Sequence, residues 1–259
     1  MVNIGSISSG LSSAIACNRL LKQDPAAILV FMDTSFEDDD NYRFLSDCEK
    51  RWGVSIVQLA EGRTPYEVSR AKHVIPNSRV APCTKRLKLD PFKKWLRDNY
   101  PEATIHIGYD YSEMHRIDAT NKAYGELGYK VDYPLLWKPY EFRPYSQTVK
   151  EDWGIEPPRM YRMGYTHANC GGRCVKQGQG DWIRTLINFP ERYAEVEEWE
   201  REMRKNPTNE NYALLKRMTG KEIIPLTLES LRKEYEITKS VNLTLLDEQS
   251  ECVVCGIGA

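Results

Sequence analysis

The first half of the chain repeats one pattern: an apolar run of strand type, a polar turn, then a segment with helical spacing. The runs are VNIGSI (2–7), AAILVFM (26–32), VSIVQL (54–59), ATIHIGY (103–109) and YKVDYPL (129–135). Between them lie SSAIACNRLLKQ, DDDNYRFLSDCEKRWG, TKRLKLDPFKKWLRDNY and SEMHRIDATNKAYGELG. Strands separated by helices must cross over and pair in parallel. The pattern therefore predicts an α/β fold: a Rossmann-like, mostly parallel sheet with helices on both faces. Local signals agree. Asp38–Asp40 open the second helix and Gly53 stops it, Pro91 lies inside the third, and Ser112 and Gly128 bound the fourth.

After about Trp137 the texture changes. Proline and aromatic residues cluster in WKPYEFRPY and GIEPPRMYRMGY, and NCGGRC follows. PERYAEVEEWEREMRK and NENYALLKRMTG read as charged helical segments, and the chain ends ECVVCGIGA. The expected organisation is a Rossmann-like domain over 1–138 and an α-rich region over 139–259.

At 259 residues, 41% hydrophobic and 28% charged, this is the composition of an ordinary globular protein. A formal net charge of -1 excludes a global basic field for nucleic acid, though not a local patch. No apolar run of about 18 residues marks a membrane span, and no leader pattern opens the chain. The expectation is a cytoplasmic protein with reduced thiols, so seven cysteines point to metal or redox chemistry rather than a disulfide framework.

Between the first strand and helix stands ISSGLSS (7–13). Backbone N–H groups at a helix start, with hydroxyls beside them, form a ready anion site, and Gly10 lets the chain approach closely. The alternative is a helix capped by serine.

This stretch resembles the Ser-Gly-Gly-x-(Asp/Thr)-Ser loop of the PP-loop ATP pyrophosphatases, in particular the phosphoadenosine phosphosulfate (PAPS) reductase-like group. Ser8, Gly10, Ser12 and Ser13 match the motif, while Ser9 replaces a glycine. Further elements follow in the family's order. Asp33, Thr34 and Glu37 match the second-strand element, with Ser35 in place of a glycine. Cys83, Thr84, Lys88 and Pro91 resemble the Cys-Thr-x-x-Leu-Lys-x-x-Pro element. Gly108, Glu113 and Arg116 resemble Gly-x-x-x-x-Glu-x-x-Arg.

The resemblance implies an adenosine nucleotide, ATP or PAPS-type, held by Ser8, Ser9, Gly10, Ser12, Ser13, Asp33 and Glu113. Asp33 is expected to position the nucleotide or a Mg²⁺. Cys83, Lys88 and Arg116 are the expected catalytic residues, because basic groups hold phosphate or sulfate and lower a thiol's pKa. Cys170 and Cys174, with Cys252 and Cys255, make four thiolates suited to Zn²⁺ or a [4Fe–4S] cluster. His167 is an alternative ligand. Cys17 and Cys48 lie on inward helix faces and read as core.

Three functions follow. One is an enzyme that adenylates an acceptor or transfers sulfur to it, the acceptor being a nucleobase in tRNA or DNA or a small metabolite. The second is a PAPS or adenylylsulfate reductase. The tail argues against that reading, because its ECVVCGI lacks the Glu-Cys-Gly-(Leu/Ile)-His of true PAPS reductases. The third is a non-catalytic nucleotide- or nucleic-acid-binding module. A homodimer is a further expectation.

Overall fold

The computed structural model describes residues 1–140, 142–219 and 222–238. Five strands form one sheet: β1 Val2–Ile7, β2 Ile28–Asp33, β3 Ile56–Ala60, β4 Ala103–His106 and β5 Lys130–Asp132. All pair in parallel, in the order β3-β2-β1-β4-β5. The crossovers carry α1 Leu11–Gln23, α2 Asp39–Trp52, α3 Pro65–Ala71, α4 Asp90–Asn99 and α5 Ile117–Gly125.

Strand side chains alternate between two cores, as a period of two requires. Ile7, Leu29 and Phe31 pack with Leu20 of α1 and Phe44 of α2. Ile4, Val30, Met32 and Ile105 pack with Phe92 and Leu96 of α4 and Tyr124 of α5. Both faces of the sheet are thus covered, as the sequence predicts. Cys17 and Cys48 are fully buried in the first core, where burial raises both thiol pKa values, that of Cys48 to about 12.

Helix boundaries follow local chemistry. The Asp38 carboxylate accepts from Asp40 N and caps α2, and Gly53 takes the left-handed conformation that ends it. Pro91 sits in the first turn of α4, where its missing N–H costs nothing, so the predicted long helix divides. Thr84–Leu89 before it forms a π-helical turn. Asp110, rather than Ser112, caps the turn that leads into α5.

The later segment packs on the first half. Val149, Trp153 and Ile155 enter the α1–α2 core. A further core joins Trp182, Tyr193, Val196 and Trp199 to Phe36, Tyr66 and Ile75. Its helices are Gln179–Asn188, Pro190–Arg204 and Leu228–Thr238. The expected helix at NENYALLKRMTG is absent: Pro207–Asn209 is a 3₁₀ turn, and Leu215–Thr219 is a strand antiparallel to Glu222–Leu226. Tertiary contact overrides the helical spacing here. The buried Glu200 carboxylate accepts from Leu214 N at 2.8 Å and Leu228 N at 2.7 Å, which ties both ends of the hairpin to the helix. Burial raises the pKa of that carboxyl. Among the described residues no helix is long and apolar enough to cross a membrane.

Candidate functional site

In a parallel sheet, ligands bind beyond the carboxyl ends of the strands where the order reverses. Here the reversal lies between β1 and β4. A cavity of about 230 Å³ opens at that point. Its floor is Ser6, Ser8, Gly10, Leu11, Ser12 and Ser13 from β1 and the start of α1, and its wall is Ile107, Gly108 and Tyr109 after β4. Tyr145, Ser146, Tyr161, Thr166, His167 and Asn169 close it from the later segment.

The loop is braced from within. Ser13 Oγ accepts from Ser8 N at 3.0 Å and donates to Gly10 O at 2.9 Å. Gly10 occupies the cap position with no side-chain cap, so the serine-cap alternative does not hold. Ser9 is buried with φ 59°, the left-handed conformation that glycine takes more cheaply. Gly108 is required sterically: a Cβ there would stand 2.9 Å from Ser13 Cα. Leu11 N donates to the Tyr161 hydroxyl at 3.3 Å, bringing the later segment onto the first helical turn.

Among the described residues the lining contains no Lys, Arg, Asp or Glu. The site offers hydroxyls, amides and the positive end of the α1 dipole to an anion.

Ser8, Gly10, Ser12 and Ser13 line the cavity, as do Gly108 and His167; Ser9, Asp33, Cys83, Lys88, Glu113 and Arg116 are not in the lining. Ser9 makes the turn instead. The Asp33 carboxylate accepts from Ser35 N at 2.8 Å, Tyr42 Oη at 2.8 Å and Gln58 Nε2 at 2.6 Å, so it organises the end of β2. Glu113 and Arg116 are buried and pair at 2.6 Å, and Arg116 lies over the Tyr109 ring at 4.3 Å. They therefore reach the cavity through Tyr109. Burial raises the Glu113 pKa against the pull of Arg116. Lys88 is buried in the π-helical turn.

Cys83 packs against the core that contains the buried Cys170 and Cys174. Tyr66 senses all three thiols. Its phenol pKa is raised well above the ordinary value, first by burial and then by these neighbours. Among the described residues, no group of three or more His, Cys, Asp or Glu side chains is arranged to hold a metal ion. Cys252 and Cys255 lie outside the described residues.

Of the later segment's lining residues the sequence marks only His167; Tyr145, Ser146, Tyr161, Thr166 and Asn169 carry no signal beyond the aromatic texture after Trp137. A larger, open groove of about 880 Å³ runs along α2 and Trp153–Glu156. Arg43 in its wall is already paired with Asp40 and Asp47, which makes it a solvated ionic surface.

No family model matches the sequence. An uncharacterised protein of Methanocaldococcus jannaschii is 21% identical over 192 residues, covering 71% of this chain and 37% of that relative. The chain therefore spans well under half the length of that relative. Among solved structures, the phosphoadenylyl-sulfate (PAPS) reductase of Candida auris, in a phosphate complex, is similar with a TM-score of 0.47 and 12% identity. That match covers 64% of this chain and 79% of that one.

Proposed function

We propose that this chain is an enzyme that binds an adenosine nucleotide, ATP or PAPS-type, by its phosphates at the Ser8–Ser13 loop. It uses that nucleotide to adenylate an acceptor or to transfer sulfur to it. The observation that carries this reading is the donor-lined cavity at the strand-order reversal, closed by Gly108 against Ser13. In adenylation, an acceptor atom attacks the α-phosphorus and pyrophosphate leaves; the loop's amides and hydroxyls stabilise the charge on that leaving group. The described lining offers no carboxylate for Mg²⁺, so we assign the ion to the nucleotide's own phosphates. The acceptor classes remain a nucleobase in tRNA or DNA, or a small metabolite.

The cysteines support the sulfur branch, because Cys83 packs against the core that holds Cys170, Cys174 and Tyr66. We propose that Cys170 and Cys174, joined by Cys252 and Cys255, hold Zn²⁺ or a [4Fe–4S] cluster. Four thiolates suit either group, and a cluster would supply a sulfur or electron relay. Elemental analysis and an anaerobic absorption spectrum distinguish the two.

The test is calorimetry with ATP and with PAPS, on wild type and Ser13→Ala, followed by product assays. Pyrophosphate release supports adenylation, and sulfite release from PAPS with a thiol donor supports reductase chemistry. Nucleotide binding without turnover would mean a binding module. Absence of binding to either nucleotide would overturn the whole reading.

A further inference from the structure

We infer that Asn169 is a preorganised oxyanion-binding residue, donating its side-chain amide to a phosphate or sulfate oxygen of the ligand held at the Ser8–Ser13 loop. The inference rests on the nucleotide reading above and names a residue that sets the ligand's position.

Asn169 lines the cavity and is 2% exposed. Its Nδ2 has no hydrogen-bond partner among the described residues. A buried donor left unpaired is costly, and native structures rarely keep one without a use. A ligand oxygen in the cavity would satisfy it.

Both chain neighbours of Asn169 are pinned, by Asn41 in the first turn of α2 and by Glu37 just before it. Asn41 Nδ2 donates to Ala168 O at 2.8 Å, and Cys170 N donates to Glu37 Oε2 at 2.9 Å. Cys170 is held at φ 56°. The backbone that carries the amide is thus fixed before any ligand arrives, as the support of a binding group should be.

The phosphate end of the ligand fits this place better than its base. A cavity of about 230 Å³ is small for a whole nucleotide. It shares its lining with the first turn of α1, whose positive dipole end favours an anion.

The test is calorimetry of the full chain with inorganic pyrophosphate, ATP and adenosine, on wild type, Asn169→Ala and Asn169→Asp, with urea unfolding of each ligand-free variant. Asn169→Ala should weaken pyrophosphate and ATP about tenfold and leave adenosine unchanged. It should leave ligand-free stability unchanged or raised, a pattern that a purely structural role cannot produce. Asn169→Asp, which places a carboxylate against the oxyanion, should weaken pyrophosphate further. Wild-type affinity for pyrophosphate in Asn169→Ala, or a loss confined to adenosine, would overturn the inference while leaving nucleotide binding intact. Failure of wild type to bind either pyrophosphate or ATP would overturn the nucleotide reading itself.

Discussion

The Glu37 carboxylate accepts the backbone N–H of Cys170 at 2.9 Å, across 133 residues of chain. The same carboxylate accepts from Thr34 Oγ1 at 3.1 Å and from Asn41 Nδ2 at 3.1 Å. One buried side chain at the end of β2 therefore sets the loop that carries Asn169 and Cys170. Replacing Glu37 by Ala strands the buried donors Thr34 Oγ1 and Cys170 N, each costly when unpaired, while Asn41 Nδ2 keeps Ala168 O. Urea unfolding should show a loss of about 3 kcal/mol for Glu37→Ala. Glu37→Gln, which keeps an acceptor oxygen, should lose less.

Asp38 anchors the later segment to α2. It is fully buried and pairs with Arg159 at 2.7 Å and Arg192 at 2.8 Å. Burial pushes its pKa up, but the hydrogen bonds from Arg159 and Arg192 outweigh this and hold it below the ordinary value. A depressed carboxyl pKa contributes stability that is present above the unfolded value, about pH 4, and is lost as pH falls through the folded value. Asp38→Asn should lower stability by about 3 kcal/mol near pH 7. The gap from wild type should close as thermal melts move below about pH 4.

Ser35 is exposed and held at φ 54°. A Cβ in the left-handed region costs about 1 kcal/mol, part of which glycine returns as unfolded-chain entropy. Ser35→Gly should therefore stabilise the protein by about 0.5 kcal/mol in chemical denaturation. Its Asp33 bond, made by the backbone N–H, survives the change.

Gly108→Ala puts a methyl 2.9 Å from Ser13 Cα, against backbone that cannot rotate away. The exit of β4 must then move off α1 and distort the anion loop. We expect a loss of about 1–3 kcal/mol in stability. ATP affinity should fall by about tenfold or more in calorimetry, since the loop's amides lose their alignment.

The strands and most helices of the first half were legible because each follows from chemistry within a few residues; α3 was not read, although Thr64 and Glu67 form a capping box at its start. Alternating apolar runs made β1 to β5, and Asp38 and Gly53 bounded α2, as local capping requires. The Ser8–Ser13 loop was legible for the same reason, being one contiguous strand-to-helix turn. Ser9 and Ser35, which stand where the resembled motifs have glycine, proved to be left-handed positions, so the motif had encoded a backbone conformation.

What the sequence determined by itself is therefore the parallel α/β plan and the floor of the cavity. Tertiary structure decided the rest. Asp33 is outside the lining, held by hydrogen bonds from Ser35, Tyr42 and Gln58, and Glu113 and Arg116 are outside it because each pairs with the other. Tyr161 reaches Leu11 from 150 residues away, and Asn169 is presented by Asn41 and Glu37. The strand at Leu215–Thr219 forms where Glu200 can pair both ends of a hairpin, against its own helical spacing. Periodicity encodes which face of an element is apolar. Which distant segment covers that face depends on packing and on satisfying every buried polar group, and these become defined only when the whole chain has folded.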